Sequence, residues 1–276
     1  MSGASGFAAT ATAYFHDLQR RVCGAFEALE PNARFAARSW TKPPGHRLQG
    51  GGESRLMRGA VFEKVGVNVS HVWGVLPPEA RGQVSGADLS EGRFTACGIS
   101  LVAHMMNPHV PAVHMNLRYL STSRAWFGGG SDLTPTFPFE EDTMDFHAAL
   151  RAACEAYRPG AYAQFKAWCD RYFYLPHRQE PRGVGGIFFD DLAGTERDED
   201  FAFVRGVGEA FLEVYPRIVA RRKDSPYDDA AREQLLYKRG RYVEFNLVYD
   251  RGTRFGFSTD ADPDAYLMSL PPVVKW

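Results

Sequence analysis

Residues 98–135 constrain the fold of this chain more than any other stretch of its sequence. Successive side chains of a β-strand point to opposite faces, so the residues of one face recur at every second position. Over residues 113–119 every second residue is apolar: Val113, Met115, Leu117 and Tyr119. The residues between them are polar: His114, Asn116 and Arg118. This alternation predicts a strand with one face packed on a core and the other presented as a chemical surface.

A second strand of the same character is predicted just before it, over residues 98–105. One of its faces would carry Ser100, Val102 and His104, and the other Ile99, Leu101 and Ala103. The segment WFGGGSDLTP, which begins at Trp126 and contains Asp132, is predicted to be a glycine-rich loop.

The polar residues of these two strands are Ser, Asn, Arg and two His, without the Lys and Glu that are usual on a merely solvated face. A half-buried strand always needs a polar side, and a single histidine there is more often a hydrogen-bonded structural residue than a ligand. The clustering of titratable groups nevertheless favours a functional surface.

Length and composition predict a globular, single-domain protein. The chain has 276 residues, of which 45% are hydrophobic and 24% charged. Its net charge of -1 argues against a general attraction to nucleic acid or an anionic membrane. The four cysteines lack metal-type spacing, and no signal peptide or membrane-spanning run is apparent, so we expect reduced thiols and a cytoplasmic location.

Periodicity elsewhere predicts helices and further strands. Helices are expected around residues 15–29, 146–157, 162–172, 200–218 and 229–238, and from Asp262-Pro263 onward. Strands are expected over residues 61–73 and 187–189, and a β-hairpin over residues 242–259 with its turn at Asp250-Arg251-Gly252. Residues 43–59 are expected to form a loop. The predicted class is α+β, a single domain over residues 1–276 with a large, mostly antiparallel sheet covered by helices on both faces.

Seven segments, in order along most of the chain, resemble those of the oxygen-dependent coproporphyrinogen III oxidase family. They are FEKVGVNVSHVWG, GISLVAHMMNP, HMNLRY, WFGGGSDLTP, YFYLPHR, RGVGGIFFDD and RGRYVEFNLVYDRGTRFG. The resemblance implies an oxidoreductase of haem biosynthesis that converts two propionate groups of coproporphyrinogen III to vinyl groups, giving protoporphyrinogen IX. It also implies molecular oxygen as co-substrate, no flavin, haem or nicotinamide, and a homodimer whose interface includes residues 242–276.

The resemblance assigns roles to particular residues. His114 matches the proposed proton donor, and Asp132 matches a carboxylate suggested to hold the pyrrole N–H groups of the substrate. Substrate contacts are implied at Ser100, Asn116, Leu117 and Arg118, and at the triplet Asp260-Ala261-Asp262. Arg118 beside Asn116 suits carboxylate recognition, because a guanidinium is a planar bidentate donor.

The C-terminal triplet departs from the family, whose members often have Gly-Gly-Arg or a similar triplet there. The triplet here lacks a cation, and two carboxylates would repel a propionate. We therefore expect any contact to use backbone N–H groups at the start of the helix at Asp262-Pro263. Arg178, Arg182 and Arg241 are further candidates for propionate binding, and the sequence does not rank them.

The resemblance also implies a divalent metal cation, of unknown identity, in some family members. The matching histidines are His104, His114, His147 and His177. Imidazole suits several transition metals, but these spacings form no local ligand motif, and His147 and His177 could equally be structural hydrogen-bonding residues. Two other functions stay open at this point: a metal-dependent hydrolase, and a non-catalytic tetrapyrrole-binding protein.

Overall fold

One antiparallel sheet of seven strands organises the molecule, and its strands neighbour one another in the order in which they are given below. The computed structural model describes residues 2–82, 84–194, 196–258 and 262–276. The strands of the sheet are β1 (Ala36–Thr41), β2 (Leu48–Met57), β3 (Phe62–Val75), β4 (Arg93–Met105), β5 (Ala112–Ser121), β6 (Ala125–Thr134) and β9 (Gly185–Leu192). Strands β7 (Tyr174–Leu175) and β8 (Glu180–Pro181) pair with each other.

Helices precede, interrupt and follow these strands. Their bounds are α1 (Ser2–Glu27), α2 (Pro78–Arg81), α3 (Glu140–Tyr157), α4 (Ala161–Tyr172), α5 (Arg197–Arg222), α6 (Asp229–Val248), α7 (Arg251–Ser258) and α8 (Pro263–Tyr266). Short 3₁₀ turns span Asp88–Ser90 and Leu267–Ser269. Among the described helices, none is long and apolar enough to cross a membrane.

The apolar face of the sheet packs against α1 and α5. Phe15, Leu18, Val22 and Phe26 of α1 are fully buried in the same cluster as the apolar residues of β4 and β5. Fully burying a side chain of this size contributes about 1.5–3 kcal/mol. The opposite face, which we call the polar face, is partly covered by α6, whose Tyr242 packs on His104, and by the C-terminal segment, which bonds Asn68 and His104. Helices therefore lie on both faces, as the sequence predicts.

The alternation predicted for β4 and β5 is confirmed. Every apolar residue named for these strands on the core side is fully buried: Ile99, Leu101, Ala103, Val113, Met115, Leu117 and Tyr119. Strand register places Ser100 opposite Asn116, and His114 opposite Asp132 of β6. Neighbouring strands thus align the predicted polar residues on one surface.

The prediction of a glycine-rich loop at WFGGGSDLTP is wrong, because these residues form β6. The glycines allow β6 to run between two close neighbours. A Cβ at Gly129 would collide with the backbone oxygen of Asn116, and one at Gly130 with that of Ile187. The predicted loop over residues 43–59 likewise contains β2, where a Cβ at Gly52 would collide with the Val69 backbone oxygen.

The prediction of a hairpin at Asp250-Arg251-Gly252 is also wrong, because the chain there joins helices α6 and α7. The Asp250 carboxylate accepts hydrogen bonds from Thr253 N at 2.7 Å and Thr253 Oγ1 at 3.0 Å. Asp250 therefore caps a helix instead of starting a β-turn. Helix α6 also continues past Gly240, where a Cβ would collide with the Lys275 backbone oxygen.

Candidate active site

A buried carboxylate joins an imidazole and a guanidinium at the centre of the polar face. Asp132 Oδ1 accepts from His114 Nδ1 at 2.8 Å, and Asp132 Oδ2 accepts from Arg182 Nη2 at 2.6 Å. The side chains of Asp132 and Arg182 are each only 2% exposed, whereas that of His114 is 20% exposed. His114 is therefore the member of this group that a ligand can reach.

Electrostatics keep Asp132 ionised. Burial alone would raise the pKa of this carboxyl, but the Arg182 guanidinium and the His114 hydrogen bond outweigh burial and hold its pKa below the usual value. An ionised carboxylate can only accept hydrogen bonds. His114 Nδ1 therefore carries a proton, which it donates to Asp132 Oδ1. His114 Nε2 is then the nitrogen available for proton exchange.

Arg182 is fixed in place by aromatic rings. Its guanidinium carbon lies 4.1 Å from the centroid of the Phe173 ring, 4.4 Å from that of Tyr242 and 4.8 Å from that of Phe245. Its Nη1 donates to Asn246 Oδ1 at 3.1 Å. Arg182 therefore orients Asp132 and is not available to bind a propionate.

The other two candidate arginines have different surroundings. Arg178 Nη2 lies 2.6 Å from Glu244 Oε1, and Arg241 Nη1 lies 3.2 Å from the same oxygen. Both therefore belong to an ion-pair cluster on Glu244, whose pKa they and His177 lower to about 2.

Arg118 forms a second ion pair further along β5. Its Nη2 donates to Asp190 Oδ1 at 2.7 Å, and Asp190 Oδ2 accepts from Arg251 Nη2 at 3.1 Å. A Cβ at Gly128 would lie 2.7 Å from Arg118 Nε, so the glycine leaves room for the guanidinium. Arg118 and Arg251 thus share the carboxylate of Asp190.

The remaining predicted contacts have mixed outcomes. Ser100 and Asn116 are half-buried on the polar face, beside Arg118. The Leu117 side chain instead lies fully buried on the opposite face, so the contact predicted there stays a prediction and would have to use the Leu117 backbone. This follows from the alternation itself, because Leu117 lies between two polar-face residues.

Of the C-terminal triplet, Asp260 and Ala261 lie outside the described residues. The Asp262 carboxylate accepts from Asp264 N at 3.0 Å and pairs with Arg38 Nη2 at 3.1 Å. Its own side chain thus occupies one of the backbone N–H groups expected to receive a propionate. Helix α8, which begins here, is only four residues long.

The four histidines predicted as metal ligands have separate partners. His104 is buried, which lowers its pKa to about 3, and its Nε2 donates to Ser269 O at 2.8 Å. Both ring nitrogens of His147 are engaged, by Val184 O and the Tyr162 hydroxyl. His177 contacts the Tyr249 hydroxyl and Glu244.

Within the described ranges, no group of three or more His, Cys, Asp or Glu side chains is arranged to hold a metal ion. The four predicted histidines therefore do not fit a shared metal site in this chain. Their hydrogen-bond partners account for the two that were also interpreted as structural, His147 and His177.

Sequence reasoning missed three residues of this region. The sequence does not rank Arg182, Asp190 directly follows the strand predicted over residues 187–189, and Asn246 lies within the hairpin predicted over residues 242–259. Each meets its partner from a distant part of the chain, and no local spacing marks them.

Fold and site together define a class: α+β proteins with a carboxylate–imidazole pair and a cluster of arginine–carboxylate pairs along one antiparallel sheet. The family model for coproporphyrinogen III oxidase matches residues 10–276, and the chain belongs to this family.

Curated relatives include the oxygen-dependent coproporphyrinogen-III oxidases of Rickettsia bellii and Rickettsia conorii. Each is 50% identical over 274 residues, covering 96% of this chain and 96% of the relative. The enzyme of the same name from Rickettsia akari is 50% identical over 272 residues.

Proposed function

We propose that this protein is an oxygen-dependent coproporphyrinogen III oxidase of haem biosynthesis. Each of two propionate side chains loses its carboxylate as carbon dioxide. The carbon next to the ring also loses one hydrogen, as a proton and two electrons, and a vinyl group remains. Dioxygen accepts the electrons, and the product is protoporphyrinogen IX. The observation that carries this proposal is the buried, ionised Asp132 holding a partly exposed His114 on the same face of β5 as Arg118.

His114 is the group proposed to exchange a proton with the substrate. Asp132 was expected to touch the pyrrole N–H groups, but both of its oxygens have partners and its side chain is 2% exposed. We therefore assign Asp132 to orienting His114. A positioned imidazole typically contributes 10²–10⁴-fold to rate.

Arg118, Asn116 and Arg251 are the groups proposed to bind a propionate. A substrate carboxylate can replace Asp190 between the two guanidinium groups without leaving either cation unpaired. Such charge-assisted bonds are about twice as strong as neutral ones. A substrate with four carboxylates can thus be recognised by a protein whose net charge is -1.

We derive no catalytic step through a metal, because the four predicted histidines do not fit one site.

We propose a homodimer that uses residues 242–276, where large apolar side chains are exposed, among them Leu247, Val248, Phe257 and Trp276. The four cysteines are free and buried, which supports a cytoplasmic location.

The test is turnover of coproporphyrinogen III by the purified protein, in air and under strict anaerobiosis, each with and without a strong chelator. We expect vinyl product and carbon dioxide in air only, with no loss of rate in chelator. Tight binding without turnover in air would indicate a tetrapyrrole carrier. Loss of activity in chelator would contradict the metal-independent mechanism.

A further inference from the structure

Residues 262–270, which we call the strap, lie across the polar face and are held there by side chains of the sheet. Asn68 Nδ2 of β3 donates to Ala265 O at 2.7 Å, and Lys64 Nζ of the same strand donates to Leu270 O at 2.7 Å. His104 Nε2 of β4 donates to Ser269 O. All three acceptors are main-chain carbonyls, so the sheet holds the backbone of the strap.

The strap is seated close to the candidate site. Its Met268 is only 9% exposed and packs directly on Gly66, where a Cβ would collide with Met268 Sδ. Register places Gly66 opposite Val102, and Val102 opposite His114. Neighbouring strands lie ~4.8 Å apart, so Gly66, two strands away from His114, is about 10 Å from it.

A buried amide connects the strap to the ionised pair. Asn246, on α6, is 5% exposed. Its Nδ2 donates to Ser269 Oγ at 3.1 Å, while its Oδ1 accepts from Arg182 Nη1 at 3.1 Å. Hydrogen bonds therefore run without interruption from Ser269 through Asn246, Arg182 and Asp132 to His114.

We propose that Asn246 is a positioning residue that couples seating of the strap to the orientation of His114, while Asn68 holds the strap from the opposite side. A buried amide left with an unmade hydrogen bond costs about 1–3 kcal/mol. Asn246 is fully paired only when the strap is seated and Arg182 is in place, so each arrangement favours the other. A catalytic consequence of this coupling rests on the proposed function.

Chymotrypsin cleavage after Tyr266 measures strap release without any assay of activity. We expect Asn246→Ala and Ser269→Ala each to accelerate this cleavage roughly tenfold, since one hydrogen bond is worth about 1 kcal/mol or more. The double variant should be no faster than Ser269→Ala alone, because that variant already lacks the bond to Asn246 and also loses the one from Ser269 Oγ to Tyr266 O at 3.2 Å. Asn107→Ala is the matched control, since Asn107 is also buried and donates to two backbone carbonyls, those of Lys223 and Ser225. It should leave the rate unchanged.

Asn246→Asp separates the two contacts of this residue. The Ser269 hydroxyl, which donates to Tyr266 O at 3.2 Å in the unaltered protein, can turn and donate to the new carboxylate instead, so the strap should remain protected. Arg182 would then be shared by two carboxylates, and we expect the pH profile of kcat/KM to shift. Unchanged cleavage in Asn246→Ala, additive effects in the double variant, or an unshifted profile in Asn246→Asp would overturn the proposal. Absence of turnover in the unaltered protein would contradict the proposed function, while the cleavage rates would still decide whether Asn246 holds the strap.

Discussion

The pair Asp132–Arg182 and the pair Arg118–Asp190 use the same two functional groups in opposite ways. The first is 2% exposed on both sides, is surrounded by aromatic rings and has no room for exchange. The second is 30% and 11% exposed and shares its carboxylate with a second arginine. Burial therefore makes one pair a fixed support, while the other is the pair that we propose a substrate carboxylate can enter.

The largest effect is expected from breaking the buried pair. Arg182→Met would leave the Asp132 carboxylate buried without its cation, which costs about 3–5 kcal/mol in the free energy of unfolding. The measurement is urea unfolding at pH 7. The double variant Arg182→Met/Asp132→Asn should recover much of this loss, because no buried charge remains. A double variant as unstable as Arg182→Met would show that lost packing, and not the charge, is responsible.

The exchangeable pair should affect binding instead of stability. Arg118→Gln should raise KM for coproporphyrinogen III by roughly 10- to 100-fold with a smaller change in kcat, since it removes a charge-assisted contact worth about 1.5–3 kcal/mol. Steady-state kinetics would measure both constants. Asp190→Asn, which removes the internal competitor, should lower KM. A raised KM in Asp190→Asn would contradict the exchange.

His104 provides a buried group that folding keeps neutral. Its folded pKa of about 3 lies below the unfolded value near 6.5, so on acidification the unfolded chain takes up a proton that the folded chain excludes. Stability is therefore lost as pH falls from about 6.5 toward 3, by about 2 kcal/mol at pH 5. Urea unfolding at pH 7, 6 and 5 should show this slope reduced in His104→Gln. Equal slopes in the two proteins would contradict it.

The smallest effect is expected at the exposed pair Arg38–Asp262, whose side chains are 64% and 30% exposed. Solvent screening limits such pairs to below about 1 kcal/mol. Arg38→Gln should therefore change the free energy of unfolding by less than this amount at pH 7. A larger loss would mean that side-chain exposure alone does not determine how much each of the three ion pairs contributes to stability.

Local patterns predicted the part of the site that lies on β5. Alternation is a property of neighbouring residues, so His114, Asn116 and Arg118 could be placed on one face without any knowledge of the fold. The same reasoning already excluded the Leu117 side chain from that face. Asp132 could be assigned only through the family resemblance, because its segment was interpreted as a loop.

The rest depended on tertiary contacts that no local pattern contains. Tyr242, Val243 and Phe245 have aromatic or β-branched side chains that favour strands, and Asp250-Arg251-Gly252 is typical of a hairpin turn. Packing of Phe245 against Phe173 and Arg182, together with the Asp250 cap, instead stabilises two helices. Asn246 entered the candidate site only through this helix.

The order in which the chain is connected has a consequence for folding kinetics. Asp132 meets His114 across the β5–β6 hairpin, a separation of 18 residues, but it meets Arg182 only after the two intervening helices, a separation of 50 residues. Contacts distant in sequence are slower to form, because a longer loop must be closed first. Until β9 docks, burial of Asp132 would leave its carboxylate in the interior without the Arg182 guanidinium. We therefore expect docking of β9, which begins three residues after Arg182, to be coupled to completion of the Asp132–Arg182 pair.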